Sequence, residues 1–322
     1  GVPISVILPS DVQRLDLVNQ TLTDNIIGQK QALNALMQAL RRSYSGIHDP
    51  ERPMGSFIFA GPSGTGKSYT AEELCKSLFA TPDSFIRINM TEFGEKFQQS
   101  RLVGSPPGYV GHGERNQLTD KVLRHPYCFI LLDEIDKADP EVIKLLLPVL
   151  SSGRLTDSEG LEVNFRNALI GMTTNLGFGD DTQQGSIGFG KANAATEYDL
   201  LREKVVGRCK ERFGPEFINR IDEFVVFNSF TDLNLEQVTT LELEKLKGRL
   251  ASKSVELTYD GAFLTEFVRL SKACHGQNGF RIKRAITTMV EPVLVDTVLG
   301  QLNKTNKIVV ELKVANDKVV VS

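Results

Sequence analysis

Eight consecutive residues carry the densest chemistry in this chain. Gly61-Pro62-Ser63-Gly64-Thr65-Gly66-Lys67-Ser68 has glycines at its first and sixth positions, then a lysine and a hydroxyl. Polyphosphate binding needs that spacing. The glycines let a turn aim backbone N–H groups at phosphate oxygens, the lysine reaches the outer phosphates, and the serine hydroxyl can ligate magnesium. Context decides whether such a match has meaning. A strand must end just before Gly61, and a helix must start near Lys67 with its positive end facing the same charge. The apolar run 56-SFIFA-60 and a helical pattern over 68–80 supply both.

A second motif answers the first. In 129-FILLDEID-136 an apolar strand ends in two carboxylates. Asp133 is placed to hold magnesium, directly or through water, with Ser68 as the other protein ligand. Glu134 is placed to polarise an attacking water as general base. Asp136 and Lys137 read as surface residues.

Elements that could position these groups follow from the apolar pattern. Residues 1–20 form a lead-in with a polar-apolar helical pattern after Pro9, and 29–46 read as a helix. Further strand-like runs lie at 85-FIRINM-90, 128-CFILLD-133, 168-ALIGMTTN-175 and 224-FVVFN-228, with helical stretches between. Strands alternating with helices predict an α/β fold, a mostly parallel sheet covered on both faces. Beyond Asn228 the pattern changes to a helix over 232–251, a strand at 255–259, helices near 260–273 and 281–300, and a hairpin from 307-KIVVELKV-314 to 318-KVVVS-322. The expected division is a large α/β domain over 1–228 and a small α+β domain over 229–322. The polar stretch 176–200 reads as a surface loop.

Composition narrows the function. With 37 basic and 40 acidic residues the chain has net charge −3, which argues against a protein held on nucleic acid by bulk charge. Apolar content of 41% is enough for a core, and no apolar run approaches the roughly 20 residues of a membrane span. No membrane partner is expected. Cys75, Cys128, Cys209 and Cys274 are widely spaced with no CxxC pair, which points to a reducing compartment and to neither a zinc site nor a disulfide framework. The chain begins at Gly1 without a signal-like pattern and reads as mature sequence, one module's worth of a longer protein.

With both motifs placed, the chain resembles the Clp ATPases of the AAA+ class, specifically the second ATPase module of two-ring members such as ClpA, ClpB and ClpC. The likeness rests on 26-IIGQ-29, 53-PMGSFIFAGPSGTGKS-68, 104-GSPPGYVG-111, 131-LLDEIDKA-138, 153-GRLTD-157 and 215-PEFINRIDE-223. It implies ATP with magnesium, a P-loop AAA+ three-layer α/β domain with a smaller α+β domain, and a homo-hexameric or mixed ring that unfolds and threads polypeptides. By position, Ile26 and Ile27 would pack the adenine, Asn175 would be the first sensor, and Arg220 would be the finger reaching a neighbour's nucleotide. Tyr109 and Val110 would form the loop gripping substrate, and Asp157 to Gly160 a weaker second pore loop. The tripeptide Ile187-Gly188-Phe189 matches the type that ClpA and ClpC use to dock a ClpP-type peptidase, so a ClpC-like member is expected over a ClpB-like disaggregase. The resemblance implies a bacterial cytoplasm or a plastid stroma, not secretion.

Three departures from the family pattern qualify this. The second-sensor motif lacks its proline in 279-GFRIKR-284, so either Phe280 or Arg281 falls at the sensor position. Gly214 stands where relatives carry arginine, which predicts a lost cationic contact. The pore loop continues as 112-HGERNQL-118, with Arg115 near the channel. These leave a weakly hydrolysing scaffold as a competing expectation to the unfoldase, and a nucleic-acid motor as a remoter one.

Overall fold

The computed structural model describes residues 11–45, 48–79, 81–104, 116–178, 194–251, 255–275, 279–295, 308–315 and 317–321. The chain divides into two compact units, Gly1–Pro62 with Gly66–Phe227, and Asn228–Ser322 with Ser63–Thr65.

In the first unit five strands form a sheet. They are β1 (Gly55–Ala60), β2 (Phe85–Asn89), β3 (Phe129–Asp133), β6 (Leu169–Thr174) and β7 (Glu223–Val226); β4 (Arg154–Thr156) and β5 (Glu162–Asn164) form a separate antiparallel pair. The order is β2-β3-β6-β1-β7, and every neighbouring pair is parallel. Strands buried on both faces are continuously apolar, and successive side chains point to opposite faces. Phe57, Phe59, Phe129, Leu131 and Val225 therefore pack toward the helices Asp11–Asn25, Lys30–Tyr44 and Lys67–Leu78. Ile58, Ile130, Leu132, Ile170 and Met172 pack on the other side, with Val142, Leu150, Val205 and Phe217. Three layers result, as the alternation of elements predicts.

The second unit joins the helices Asp232–Ala251, Gly261–His275 and Gly279–Ala285 to a three-stranded sheet. Strands β8 (Val255–Tyr259) and β9 (Ile308–Ala315) are parallel, and β10 (Lys318–Val321) returns antiparallel on β9. Asp317 takes the left-handed conformation next to the hairpin turn, at φ 56°. Along the helix Asp232–Ala251, Leu235, Leu243 and Leu246 are buried, while Leu233 is exposed.

Two sequence expectations need correction. The loop read over 176–200 ends early, because a helix runs Ala194–Phe213. Its first turns, AATEYDLLREK, are mostly strong helix formers, so intrinsic propensity overrides the polar composition there. The side chain of Asp136, expected at the surface, is only 7% exposed. Cys75, Cys128 and Cys209 are free thiols, and burial pushes all three up to about 12, as suits small core residues.

Candidate active site

The strand order sets the site. β6 lies between β1 and β3, so the carboxyl ends of all three are adjacent along one edge, where open α/β sheets bind ligands. The phosphate loop leaves β1 there, and the N–H of Gly61 donates to the Thr174 carbonyl of β6 at 3.2 Å. Gly64 and Gly66 have φ of 75° and 98°, a conformation that a side chain would strain. A Cβ at Gly66 would meet nothing within 4 Å, so that face of the loop is open. The helix Lys67–Leu78 starts on Gly66 with no side-chain cap. Its N-terminus therefore keeps its pull on anions.

Lys67 is buried, 8% exposed, and its Nζ donates to the carbonyls of Gly61 (2.7 Å) and Pro62 (2.8 Å) and to Asn175 Oδ1 (2.8 Å). Burial lowers its pKa to about 8, against the opposing pull of Asp133, Asp136 and Glu134. This link brings Asn175, the residue just past the end of β6 expected as first sensor, to the lysine of the loop.

Asp133 ends β3 and gathers most of the remaining groups. Its Oδ1 accepts from Ser68 Oγ at 3.0 Å and from Thr173 Oγ1 at 2.5 Å. Its Oδ2 accepts from Arg87 Nε at 3.1 Å, and the Arg87 Nη2 completes an ion pair. Burial pushes the carboxyl up. The hydrogen bonds from Thr173, Arg87 and Ser68 and the arginine's charge outweigh it, and the carboxyl is held below its ordinary value. Glu134 follows in the left-handed region, at φ 59° and ψ 50°. A non-glycine residue there is strained. Its N–H donates to Thr173 Oγ1 at 2.8 Å, so one hydroxyl ties both acidic residues to β6. The Glu134 side chain is exposed and lines an open pocket of about 490 Å³ with Arg87, Asn89, Thr91, Glu92, Gln117 and Asp133.

The donor set fits a magnesium nucleotide. Ser68 and Asp133 offer hard oxygen ligands 3.0 Å apart beside a loop open to phosphate. Among the described residues no group of three or more His, Cys, Asp or Glu could hold a metal ion. Magnesium is commonly held this way, by one or two protein oxygens together with substrate phosphates.

The other expected residues are distributed as follows. Ile26 is a core residue, 6% exposed, and Ile27 is half-buried beside it. Arg220 follows the short helix Pro215–Ile218. Its guanidinium bonds Glu216, at 3.0 Å to the carbonyl and 3.2 Å to the carboxylate, not Asp222 or Glu223. Asp222 is engaged by Ser56 and Arg52, and Glu223 by Arg42 and Arg202. Arg281 is exposed on the helix Gly279–Ala285 of the second unit, and Phe280 beside it is 69% exposed. Asp157 to Gly160 form the turn between β4 and β5, where the Asp157 carboxylate accepts from the N–H groups of Glu159 and Leu161. Gly214 has φ 83° at the start of the short helix, which explains a glycine there. Tyr109, Val110, Arg115, Ile187, Gly188 and Phe189 lie outside the described residues.

Arg87 and Thr173 escape the sequence motifs. Each had a signal. Arg87 breaks an otherwise apolar strand, and Thr173 adds a hydroxyl to the interior of a buried one. Their target became visible only once β2, β3 and β6 were adjacent.

Known proteins resemble this chain over most of its length. The family described as AAA domain (Cdc48 subfamily) matches residues 52–224. The chain is 41% identical over 314 residues to the chaperone protein ClpB of Oceanobacillus iheyensis, covering 97% of this chain and 39% of that protein. It is 44% identical over 257 residues to the ATP-dependent Clp protease ATP-binding subunit ClpC of Staphylococcus aureus (strain USA300), covering 80% of this chain and 31% of that protein. The chain thus spans between about a third and two-fifths of the length of these relatives. The phosphate loop, the acidic pair behind it and these matches together show that the chain belongs to the AAA family of ATPases and is related to its Clp members.

Proposed function

We propose that this module hydrolyses ATP and uses the cycle to pull unfolded polypeptide through a hexameric ring, toward a ClpP-type peptidase. The observation that carries the hydrolytic half is the convergence of Lys67, Ser68, Asp133 and Asn175 along one sheet edge, with Glu134 beside them. In this reading the loop amides and Lys67 hold the β- and γ-phosphates. Ser68 and Asp133 would hold magnesium, which would neutralise charge on the phosphates. Glu134 orients water and takes its proton, Asn175 senses the γ-phosphate, and Arg220 serves the adjacent subunit. Ile26 and Ile27 face the base, and Arg281 acts as second sensor. The mechanical half is supported by Tyr109 and Val110, whose aromatic and apolar surface grips extended chain without regard to sequence. Among the described residues no helix is long and apolar enough to cross a membrane, and the three described thiols are free. The free thiols suit a reducing cytoplasm or stroma.

Full-length protein tests this directly. Glu134→Gln should keep nucleotide affinity, lose turnover by about a hundredfold or more, and trap bound substrate. A wild-type rate no higher than the mutant's would favour the nucleotide-gated scaffold instead. The match to ClpB over 97% of the chain supports a second reading, a peptidase-independent disaggregase. Replacing Ile187 and Phe189 with serine separates the two. Peptidase docking requires that ATPase activity survive while coupled proteolysis is lost, and unchanged proteolysis would remove the docking claim.

A further inference from the structure

Arg212 is the next-to-last residue of the helix Ala194–Phe213, and its guanidinium reaches the turn that follows Glu134. Nε and Nη2 donate to the Asp136 carbonyl at 3.2 and 3.0 Å, and Nη2 also donates to the Ala138 carbonyl at 2.7 Å. The turn they hold is Ile135–Lys137, which begins on the strained left-handed Glu134. Strain of that kind persists only where neighbours over-determine the backbone. Upstream, Thr173 fixes the Glu134 N–H. Downstream, Lys137 N–H donates to the Glu134 carbonyl at 3.0 Å, Asp139 N–H to Phe93 at 2.8 Å, and Ile135 is fully buried. Arg212 is the charged member of this set and the one that comes from a distant helix. The Asp136 carboxylate lies at the same turn, 7% exposed; its Oδ2 pairs with Lys137 Nζ at 3.5 Å, while its Oδ1 has no hydrogen-bond partner among the described residues. The turn therefore carries a half-satisfied buried group as well as a strained backbone.

We infer that Arg212 is a positioning residue for Glu134: by clamping the carbonyls of Asp136 and Ala138, it fixes the turn that aims the Glu134 carboxylate at the attacking water. The inference rests on the reading of Glu134 as general base. It also reinterprets the cation expected to be lost at Gly214. A guanidinium stands two residues earlier, and it serves this chain's own turn.

The test uses full-length protein, with ATP turnover measured under steady-state and single-turnover conditions and nucleotide affinity measured with a fluorescent ADP. Arg212→Gln should lower kcat about ten- to a hundredfold, the range expected for a catalytic group displaced by about an ångström. KM and ADP affinity should stay within about twofold, because the phosphate loop is untouched. Arg212→Lys, which can reach one of the two carbonyls, should recover part of the loss. In a Glu134→Gln background Arg212→Gln should cost nothing further, since the group it aims is gone. Thermal melts establish that each variant is folded; should Arg212→Gln not fold, the Lys variant carries the same comparison. An unchanged kcat in folded variants, or an equal loss with and without Glu134, would overturn the inference. A Glu134→Gln protein that hydrolyses ATP at the wild-type rate would instead sink the base assignment, and the inference with it.

Discussion

Lys67 shows how a single residue's surroundings set a measurable property. Its ammonium is held by two carbonyls of its own loop and by Asn175, yet burial still brings its pKa down to about 8. Bound phosphates add negative charge and must raise it again. The sign follows. Below pH 8 the lysine is already charged and nucleotide binds with full affinity. Above pH 8 binding must take up a proton, so affinity falls, by up to about tenfold per pH unit. Fluorescent ADP titrations from pH 7 to 9.5 should show the break, and calorimetry in two buffers at pH 8.5 should show proton uptake. Affinity flat across that range would refute the assignment. At this scale much of the site was legible, because the phosphate loop is eight consecutive residues whose backbone does the binding. Asp133 and Glu134 were legible for the same reason. The strain at Glu134 was not, since nothing in the residue type announces a left-handed backbone.

Elements carry the next level of specification. The apolar runs at β1, β2, β3, β6 and β7 stood out because strands buried on both faces lose their polar alternation. Gly171 in the middle of β6 marks what that pattern cannot show. A Cβ there would lie 2.7 Å from Phe129 Cζ and 2.8 Å from Phe59 Cε2. Both rings are fully buried. Gly171→Ala gains a little by stiffening the unfolded chain, about 0.4–1 kcal/mol. Overpacking costs about 1–3 kcal/mol and should win. Denaturant or thermal unfolding should find the variant less stable than the parent; equal or greater stability would show that the rings can move. The helix Ala194–Phe213 teaches the opposite lesson. Its first turns were hidden in a polar stretch, where composition outweighed a propensity that was present all along.

At the scale of the molecule, the role proposed for Arg220 lies outside its own subunit. Its carbonyl accepts from Arg52 Nη2 at 2.5 Å and from Ser56 Oγ at 2.9 Å, which anchors its backbone to the start of β1. The side chain rests on Glu216, and its Nε is buried with no partner among the described residues. If the guanidinium completes a neighbour's site, Arg220→Ala should keep nucleotide affinity and lose about 10³-fold in turnover. Mixing Arg220→Ala with Glu134→Gln subunits should then restore part of the activity. Some sites in the mixed ring would pair an intact Glu134 with an intact Arg220 from the adjacent subunit. No recovery on mixing would place Arg220 in a structural role.

What the sequence determined by itself was local: the phosphate loop, the acidic pair, the strand runs and the hairpin from β9 to β10. Each depends on neighbouring residues and a short period, so each is written in consecutive letters. Tertiary structure decided which strands lie side by side. Inserting β6 between β1 and β3 brought Asn175 to Lys67 and Thr173 to Asp133, across 108 and 40 residues. Pairing β2 with β3 gave Asp133 its arginine, and packing the helix Ala194–Phe213 gave the Glu134 turn another. Such contacts arise from the joint burial of apolar faces far apart in the chain, and no single stretch of sequence contains them.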